Sequence, residues 1–232
     1  MAPIAVMKRY ELKYLLTPQQ TEYLEQCLQG HMQPDQYGLT SIASLYYDTP
    51  DHRLIRTSLE KPAYKEKIRS RSYGLATPDT PVFLELKRKS EGIVYKRRVA
   101  STISGVDAFF QRGEIGEDGQ IAKEIRYFRD YYQNLAPACL IIYDRVAYYE
   151  PDGDLRLTID HNPRYRVDHL DLSTSMDGLP LLPKGYTILE VKVQQAMPMW
   201  LGKILADGGI YKSSFSKYGE AYKRQTMCCQ TI

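Results

Sequence analysis

No apolar run in the chain approaches the roughly 18 residues that a membrane-spanning helix needs, so membrane insertion is not expected. A secretory leader is not expected either. In MAPIAVMKRYELKY the apolar stretch is too short, and the charges follow it rather than precede it. Cysteine is scarce: Cys27, Cys139, Cys228 and Cys229 form no CxxC pair, and their spacing matches neither a zinc site nor a disulfide framework. Free thiols in a reducing, cytoplasmic setting are the expectation. A marked excess of one charge is also missing. Lys and Arg number 31 and Asp and Glu 28, a formal 31 − 28 = +3, which argues against a polybasic protein that coats nucleic acid. There is no low-complexity block, no internal repeat and no linker between two cores, so a single domain over the 232 residues is expected.

What is present suits a folded chain. Charged residues make up 25% and hydrophobic residues 43%, which excludes bulk disorder. The 20 tyrosines tilt the composition toward sheet. Alternating runs predict strands at Arg9–Tyr14, Ile42–Asp48, Lys65–Tyr73, Val82–Lys89, Ile93–Thr102, Cys139–Glu150, Leu155–Asp160 and Thr187–Val193, with one more short strand at Arg164–Asp168. Thr17-Pro18-Gln19-Gln20 reads as an N-cap, a first-turn proline and a capping-box glutamine, opening a helix that stops at Gly30. Helical stretches are predicted at about 50–59, 106–112, 122–132 and 198–205, and a polar tail containing SSFSKYGEAYKR closes the chain.

Residues two apart in a strand share a face. Arg9, Glu11 and Lys13 fall opposite Tyr10, Leu12 and Tyr14. Lys65, Lys67, Arg69 and Arg71 share a face, as do Glu85 and Lys87, then Lys96 and Arg98, with Arg97 the exception on the apolar side. Arg145 opposes Ile142, Val146 and Tyr148; Arg156, Thr158 and Asp160 oppose Leu155, Leu157 and Ile159; Glu190 and Lys192 oppose Leu189, Val191 and Val193. One such strand is an ordinary solvated sheet face. Strand after strand rich in Arg and Lys, with Glu11, Glu85, Asp160 and Glu190 among the few acids, is a different composition. Two like charges about 6 Å apart at an effective dielectric of about 20 repel by roughly 3 kcal/mol. A face carrying many such pairs calls for anions, and a closed sheet with its apolar side outward would turn that face into a lumen. Narrow, highly charged phosphate chains fit it, since Arg and Lys grip them along their length. Nucleic acid fits less well, because the basic residues lie on the strand face expected inside.

The motifs RYELKY (Arg9–Tyr14), SLYYDTP (Ser44–Pro50), LEKPAYKEKIRSRSYG (Leu59–Gly74), FLELKRK (Phe83–Lys89), YKRR (Tyr95–Arg98), YDRVAYY (Tyr143–Tyr149), LRLTID (Leu155–Asp160), LEVKV (Leu189–Val193) and FSKY (Phe215–Tyr218) stand in one order along nearly the whole chain. With them the chain resembles the CYTH-like triphosphate tunnel metalloenzyme superfamily. Within it, it resembles the VTC-domain branch: the catalytic module of the vacuolar transporter chaperone and the stand-alone polyphosphate polymerase domain proteins. The resemblance implies an α+β, mainly β fold, an eight-stranded antiparallel β-barrel tunnel with helices packed outside, binding a nucleoside triphosphate and a divalent metal. Carried over by position, it implies phosphate ligands at Lys13, Arg69, Arg71, Lys87, Lys96, Arg145, Arg156 and Lys217, with Lys87, Arg145 and Arg156 stabilising charge on the transferred group. It implies a Mn²⁺ or Mg²⁺ ligand at Glu190, and further substrate contacts at Lys67, Arg98, Lys192 and Tyr143. Lys61 is expected to close the tunnel mouth. Fungal-type members tend to carry an Arg where this chain has Ser58, which puts one donor-phosphate contact in doubt.

The hydrolytic and cyclase branch of that superfamily carries ExExK on its first strand, where this chain has Arg9, Glu11 and Lys13. Hydrolysis needs a water held in line and relieved of a proton, a task for carboxylates. Transfer to the end of a phosphate chain needs an already ionised oxygen held in line while repulsion is neutralised. The expectation is therefore a polyphosphate polymerase that moves the terminal phosphate of ATP onto inorganic polyphosphate, with pyrophosphate and triphosphate as related ligands. The alternatives are a tunnel-type tripolyphosphatase or nucleoside triphosphatase, and a non-catalytic polyphosphate-binding module, against which Glu190 speaks because binding alone requires no metal ligand. A regulatory helical domain and membrane helices like those of the fungal assemblies are not expected, nor is coupling to transport.

Overall fold

The computed structural model describes residues 10–91, 93–116 and 118–229. Arg9, expected at the head of the first strand, and Gly92, expected in the Ser90–Gly92 turn, lie outside the described residues, as do the side chains of Cys228 and Cys229. Cys27 and Cys139 are free thiols. The chain divides into two compact units. The first comprises residues up to Thr40, Asp144–Asn162 and Leu182–Phe215; the second comprises Ser41–Tyr143, Pro163–Leu181 and residues from Ser216.

In the first unit β1 (Tyr10–Leu16) leads into α1 (Pro18–Leu28), and β2 (Gln33–Pro34) follows. The expected capping box is formed: the Gln20 amide donates to the Thr17 hydroxyl at 3.2 Å, and the Thr17 amide to the Gln20 side chain at 3.0 Å. In the second unit come β3 (Thr40–Asp48), α2 (Arg53–Leu59), β4 (Tyr64–Tyr73), β5 (Val82–Ser90), β6 (Ile93–Ser101), α3 (Ile103–Arg112) and α4 (Gln120–Tyr132). Then β7 (Ala136–Tyr149) and β8 (Arg156–Arg166) each cross the boundary between units, after Tyr143 and after Asn162. The remaining elements are β9 (Leu179–Pro180), β10 (Thr187–Val193), α5 (Met199–Asp207), β11 (Lys212–Ser213) and α6 (Lys217–Cys229). The segment read as a polar tail thus forms the 13-residue helix α6.

Strand neighbours in the first unit run β11-β1-β10-β8-β7, and in the second β7-β3-β4-β5-β6, with antiparallel register. Eight strands are seven residues or longer, in agreement with the expected number, and three two-residue strands bring the sheet to eleven. Among the described residues no strand pairing closes this sheet, so the expected closed eight-stranded barrel is corrected to an open, mainly antiparallel sheet with six helices. Closure depends on strand tilt and stagger, whereas the alternation from which it was inferred reports only the face each side chain takes.

The apolar faces are covered as the alternation requires. In the first unit Tyr14, Leu157, Ile159, Leu189 and Val191 pack with Leu24 and Leu28 of α1 and Leu201 and Leu205 of α5. In the second unit Leu45, Ile68, Leu84, Leu86 and Ile142 pack with Phe109 of α3 and Ile125 and Phe128 of α4. Arg97, the exception on that face, donates to Glu124 of α4 at 2.9 Å. A third cluster lies on the other face of the second unit: Ile42, Cys139, Ile141 and Tyr143 pack against Ile55 of α2 and Tyr218 and Ala221 of α6. This part of β7 is therefore buried on both faces.

Candidate functional site

Each unit carries a cation cluster built on a strand register. In the second unit three rows cross the sheet. Lys67, Lys87 and Lys96 stand abreast on β4, β5 and β6. In the next row Tyr46, Arg69, Glu85 and Arg98 align across β3 to β6, and beyond it Ser44 aligns with Arg71. Like charges directly opposite one another are destabilising unless something offsets them. Glu85 does part of this. Its side chain is 1% exposed, and it accepts from Arg69 Nε at 2.9 Å and Nη2 at 2.7 Å, and from Arg98 Nε at 2.8 Å. Lys96 Nζ lies 2.7 Å from Oε1, the oxygen that Arg98 also reaches, and Arg71 Nε lies 3.8 Å from Oε2, the oxygen that Arg69 reaches. Burial alone would favour the neutral acid, but Arg69, Arg71 and Lys96 outweigh it and hold the Glu85 carboxyl well below the usual carboxylate range. Burial, with Arg69 and Arg71 adding to it, pushes the Lys96 ammonium down to about 8 against the pull of Glu85.

The remaining donors of this cluster are oriented by hydroxyls and rings. Arg69 Nη1 donates to the Tyr46 phenol oxygen at 2.8 Å. Arg71, itself buried, donates from Nε to the Ser44 hydroxyl at 3.2 Å and from Nη2 to the Tyr143 phenol oxygen at 3.0 Å. The Lys217 ammonium sits 4.3 Å over the Tyr143 ring. Lys67 Nζ lies 3.4 Å from the Ser216 hydroxyl and 5.8 Å over the Tyr218 ring. Lys61 is exposed and holds a left-handed backbone, φ +56°, just past the end of α2. Ser58 is buried within α2, and its carbonyl accepts from Lys65 Nζ at 3.1 Å.

In the first unit two rows cross β1, β10 and β8: Lys13, Glu190 and Thr158, then Glu11, Lys192 and Arg156. Glu190 is ringed at longer range by Lys192 Nζ at 3.3 Å, Lys13 Nζ at 3.5 Å and Arg145 Nη2 at 3.7 Å. Arg145 places its fork on Asp160, which is 1% exposed, at 2.5 Å and 2.8 Å. The Arg156 guanidinium lies 5.5 Å over the Tyr149 ring.

The expected site residues thus divide between the units: Lys13, Arg145, Arg156, Glu190 and Lys192 gather in the first, and Lys67, Arg69, Arg71, Lys87, Lys96, Arg98, Tyr143 and Lys217 in the second. Glu85 and Asp160 were visible in the sequence only as acids on a basic face; their role as the carboxylates that seat Arg69, Arg98 and Arg145 comes from the register. Tyr46 and Ser44 were not anticipated. Their alternation with Leu45 and Tyr47 on β3 is the signal that places them beside Arg69 and Arg71.

A divalent metal has a restricted set of donors here. Among the described residues no three His, Cys, Asp or Glu side chains group as a metal site. Glu190, ringed by Lys13, Lys192 and Arg145, is the carboxylate of the first unit's cluster, and a Mg²⁺-like ion that takes one or two carboxylates would complete its shell with phosphate oxygens and water. A single carboxylate of this kind would fit a metal that arrives with its phosphates, and Glu190 is the residue that would hold it.

A family model described as the VTC domain matches residues 8–225, a span that runs through both units. No curated protein matches the chain. Among solved structures, a candidate adenylate cyclase from Bacillus halodurans superposes with a TM-score of 0.55 at 13% identity, covering 90% of this chain and 96% of that one. A candidate adenylyl cyclase from Hippeastrum, described as having a dominant triphosphatase activity, gives 0.54 at 19% identity, covering 91% and 93%. At these identities the likeness shows the fold alone.

Proposed function

The chain belongs to the VTC domain family, and on that premise we propose that it is a polyphosphate polymerase, transferring the terminal phosphate of ATP to the end of an inorganic polyphosphate and releasing ADP. The bond from the γ-phosphorus to the β,γ-bridging oxygen breaks, and one from the same phosphorus to a terminal oxygen of the acceptor forms. The attacking oxygen is already ionised, so the step needs no base. The observation that carries this reading is the state of the buried carboxylates. Glu85 is held ionised by Arg69, Arg71, Lys96 and Arg98, and Asp160 is occupied by the Arg145 fork. Neither is placed to relieve a water of its proton, while the cations around them are placed to neutralise phosphate charge.

In this reading Lys13, Arg156 and Lys192 bind and orient phosphates in the first unit, and Lys67, Arg69, Arg71, Lys87, Lys96, Arg98, Tyr143 and Lys217 do so in the second. In the first unit Arg145 and Arg156 are the groups assigned to charge on the transferred phosphoryl. A Mn²⁺ or Mg²⁺ ion held by Glu190 would supply further neutralisation of phosphate charge. Glu85 and Asp160 set the directions of the guanidinium edges, so those edges are in place before substrate arrives.

Hydrolysis of a triphosphate is the second reading. Glu11 favours it, because it keeps one first-strand carboxylate in the row with Lys192 and Arg156. Incubation with ATP and Mn²⁺, followed on a gel, separates the two: the expected outcome is ADP and long-chain polyphosphate, abolished in Glu190→Gln. Orthophosphate without polymer would assign the chain to hydrolysis, and no turnover with tight tripolyphosphate binding would assign it to binding alone.

A further inference from the structure

Thr158 stands on the polar face of β8 between Arg156 and Asp160, directly across from Glu190 in the register with β10. The residue is 7% exposed, and its hydroxyl has no hydrogen-bond partner among the described residues. Burying a hydroxyl without a partner is costly, and such groups in folded proteins ordinarily find one. Packing supplies no reason for it. Leu157 and Ile159 fill the apolar core from the other face of the strand, and valine would match threonine in shape and strand preference at position 158. The neighbours on its own face are ionic: Arg156 and Asp160 along the strand, Glu190 across it, and Lys192 diagonally.

We propose that Thr158 is a substrate-binding residue whose hydroxyl donates a hydrogen bond to a non-bridging phosphoryl oxygen held beside Glu190. The proposal rests on reading this face as a phosphate-chain site, and adds to it a donor of a different kind. Arg156 and Lys192 attract phosphate by charge, over a range that salt shortens. A neutral hydroxyl adds no repulsion to that pair, acts only at contact, and discriminates by position. Its orphaned state in the free protein is a cost that bound phosphate removes.

The test uses the full chain, with Thr158→Val and Thr158→Ser, and inorganic tripolyphosphate as the probe. Binding is measured by calorimetry in metal-free buffer and with Mn²⁺, at low and at high ionic strength, with thermal midpoints of the free proteins alongside. Thr158→Val is expected to melt at or above the parent midpoint, since it removes an unsatisfied buried group. It should bind tripolyphosphate about tenfold more weakly, by a similar factor at both ionic strengths and with or without Mn²⁺. Thr158→Ser should restore most of the loss. A Val variant that binds like the parent overturns the proposal, as does one that melts well below it, which would mean that the hydroxyl has an internal partner. A loss confined to the Mn²⁺ titrations overturns it in favour of a metal contact. A parent chain that binds no tripolyphosphate overturns the functional reading and this proposal together.

Discussion

Glu85 concentrates the residue-scale physics of the second unit. One nearly inaccessible carboxylate receives Arg69, Arg98 and Lys96 within hydrogen-bond range, with Arg71 just beyond. Breaking a buried ion-pair group by removing one member leaves uncompensated charge, typically at a cost of about 3–5 kcal/mol. Glu85→Gln is therefore expected to destabilise the free protein on that scale in a urea titration, and tripolyphosphate should recover part of the loss by supplying the missing negative charge. Because its folded-state carboxyl ionises below the usual range, Glu85 contributes stability that is present at neutral pH and lost only as the pH falls through that depressed value. Lys96 acts with the same sign in a higher pH window. Its ammonium is pushed down to about 8, so between that pH and the ordinary lysine value the unfolded chain binds the extra proton and stability rises with pH. Tripolyphosphate affinity should fall through the same window as a positive charge is lost. Lys96→Arg should flatten that step in a pH series of binding measurements, because arginine stays charged throughout.

At the scale of elements, α2 and α6 depend on one side chain at the end of β3. Asp48 accepts from the Thr49 amide at 2.9 Å, from the amides of Leu54 at 2.8 Å and Ile55 at 3.0 Å at the start of α2, and from the Tyr218 hydroxyl of α6 at 2.9 Å. Tyr218 also stacks on Tyr46 at 4.6 Å, and Tyr46 receives Arg69. The helices that seal the third apolar cluster are thus tied to the phenol that orients a guanidinium. Asp48→Ala leaves two helix-start amides and a buried phenol without acceptors, at about 1–3 kcal/mol for each buried group. It should lower the thermal midpoint and speed hydrogen exchange in α2 and α6 while leaving α1 and α5 unchanged. The sequence motif Ser44–Pro50 placed Asp48 on a strand beside a helical turn. Its hydrogen bonds to α6 link residues 170 apart in the chain, and no local pattern reports them.

For the whole molecule, the formal charge of only +3 hides two faces on which cations cluster. A ligand that binds only the native state raises stability by RT ln(1 + [L]/Kd), about 2.7 kcal/mol at a hundredfold excess over Kd. For a chain of this length that corresponds to a thermal midpoint higher by about 5–10 °C. Tripolyphosphate is expected to produce such a rise in a melting experiment, and chloride at matched ionic strength is not, because it screens the cations without bridging them. An equal rise with both would remove the case for a phosphate-chain site.

How much could be read from the chain follows from the range over which each cue acts. Alternation with a period of two is local, and it placed Lys67, Arg69, Arg71, Lys87, Lys96 and Arg98 on one face of their strands and marked all eight long strands, while the equally local Thr17–Gln20 motif marked the capping box. It could not find two-residue strands, which are too short to alternate, nor the helix α6, whose polar and aromatic run shows no strong apolar stripe. The run Leu140–Tyr143 does not alternate, and that was the available sign that β7 is covered on both faces. Face and residue type were therefore settled by the sequence alone, because the geometry of an extended backbone dictates them. Which carboxylate seats which guanidinium, whether the sheet closes, and that the Thr158 hydroxyl finds no partner among the described residues were decided only in three dimensions. Those outcomes depend on register between strands as far apart in the chain as Lys13 and Glu190, and on the tilt of each strand against its neighbours.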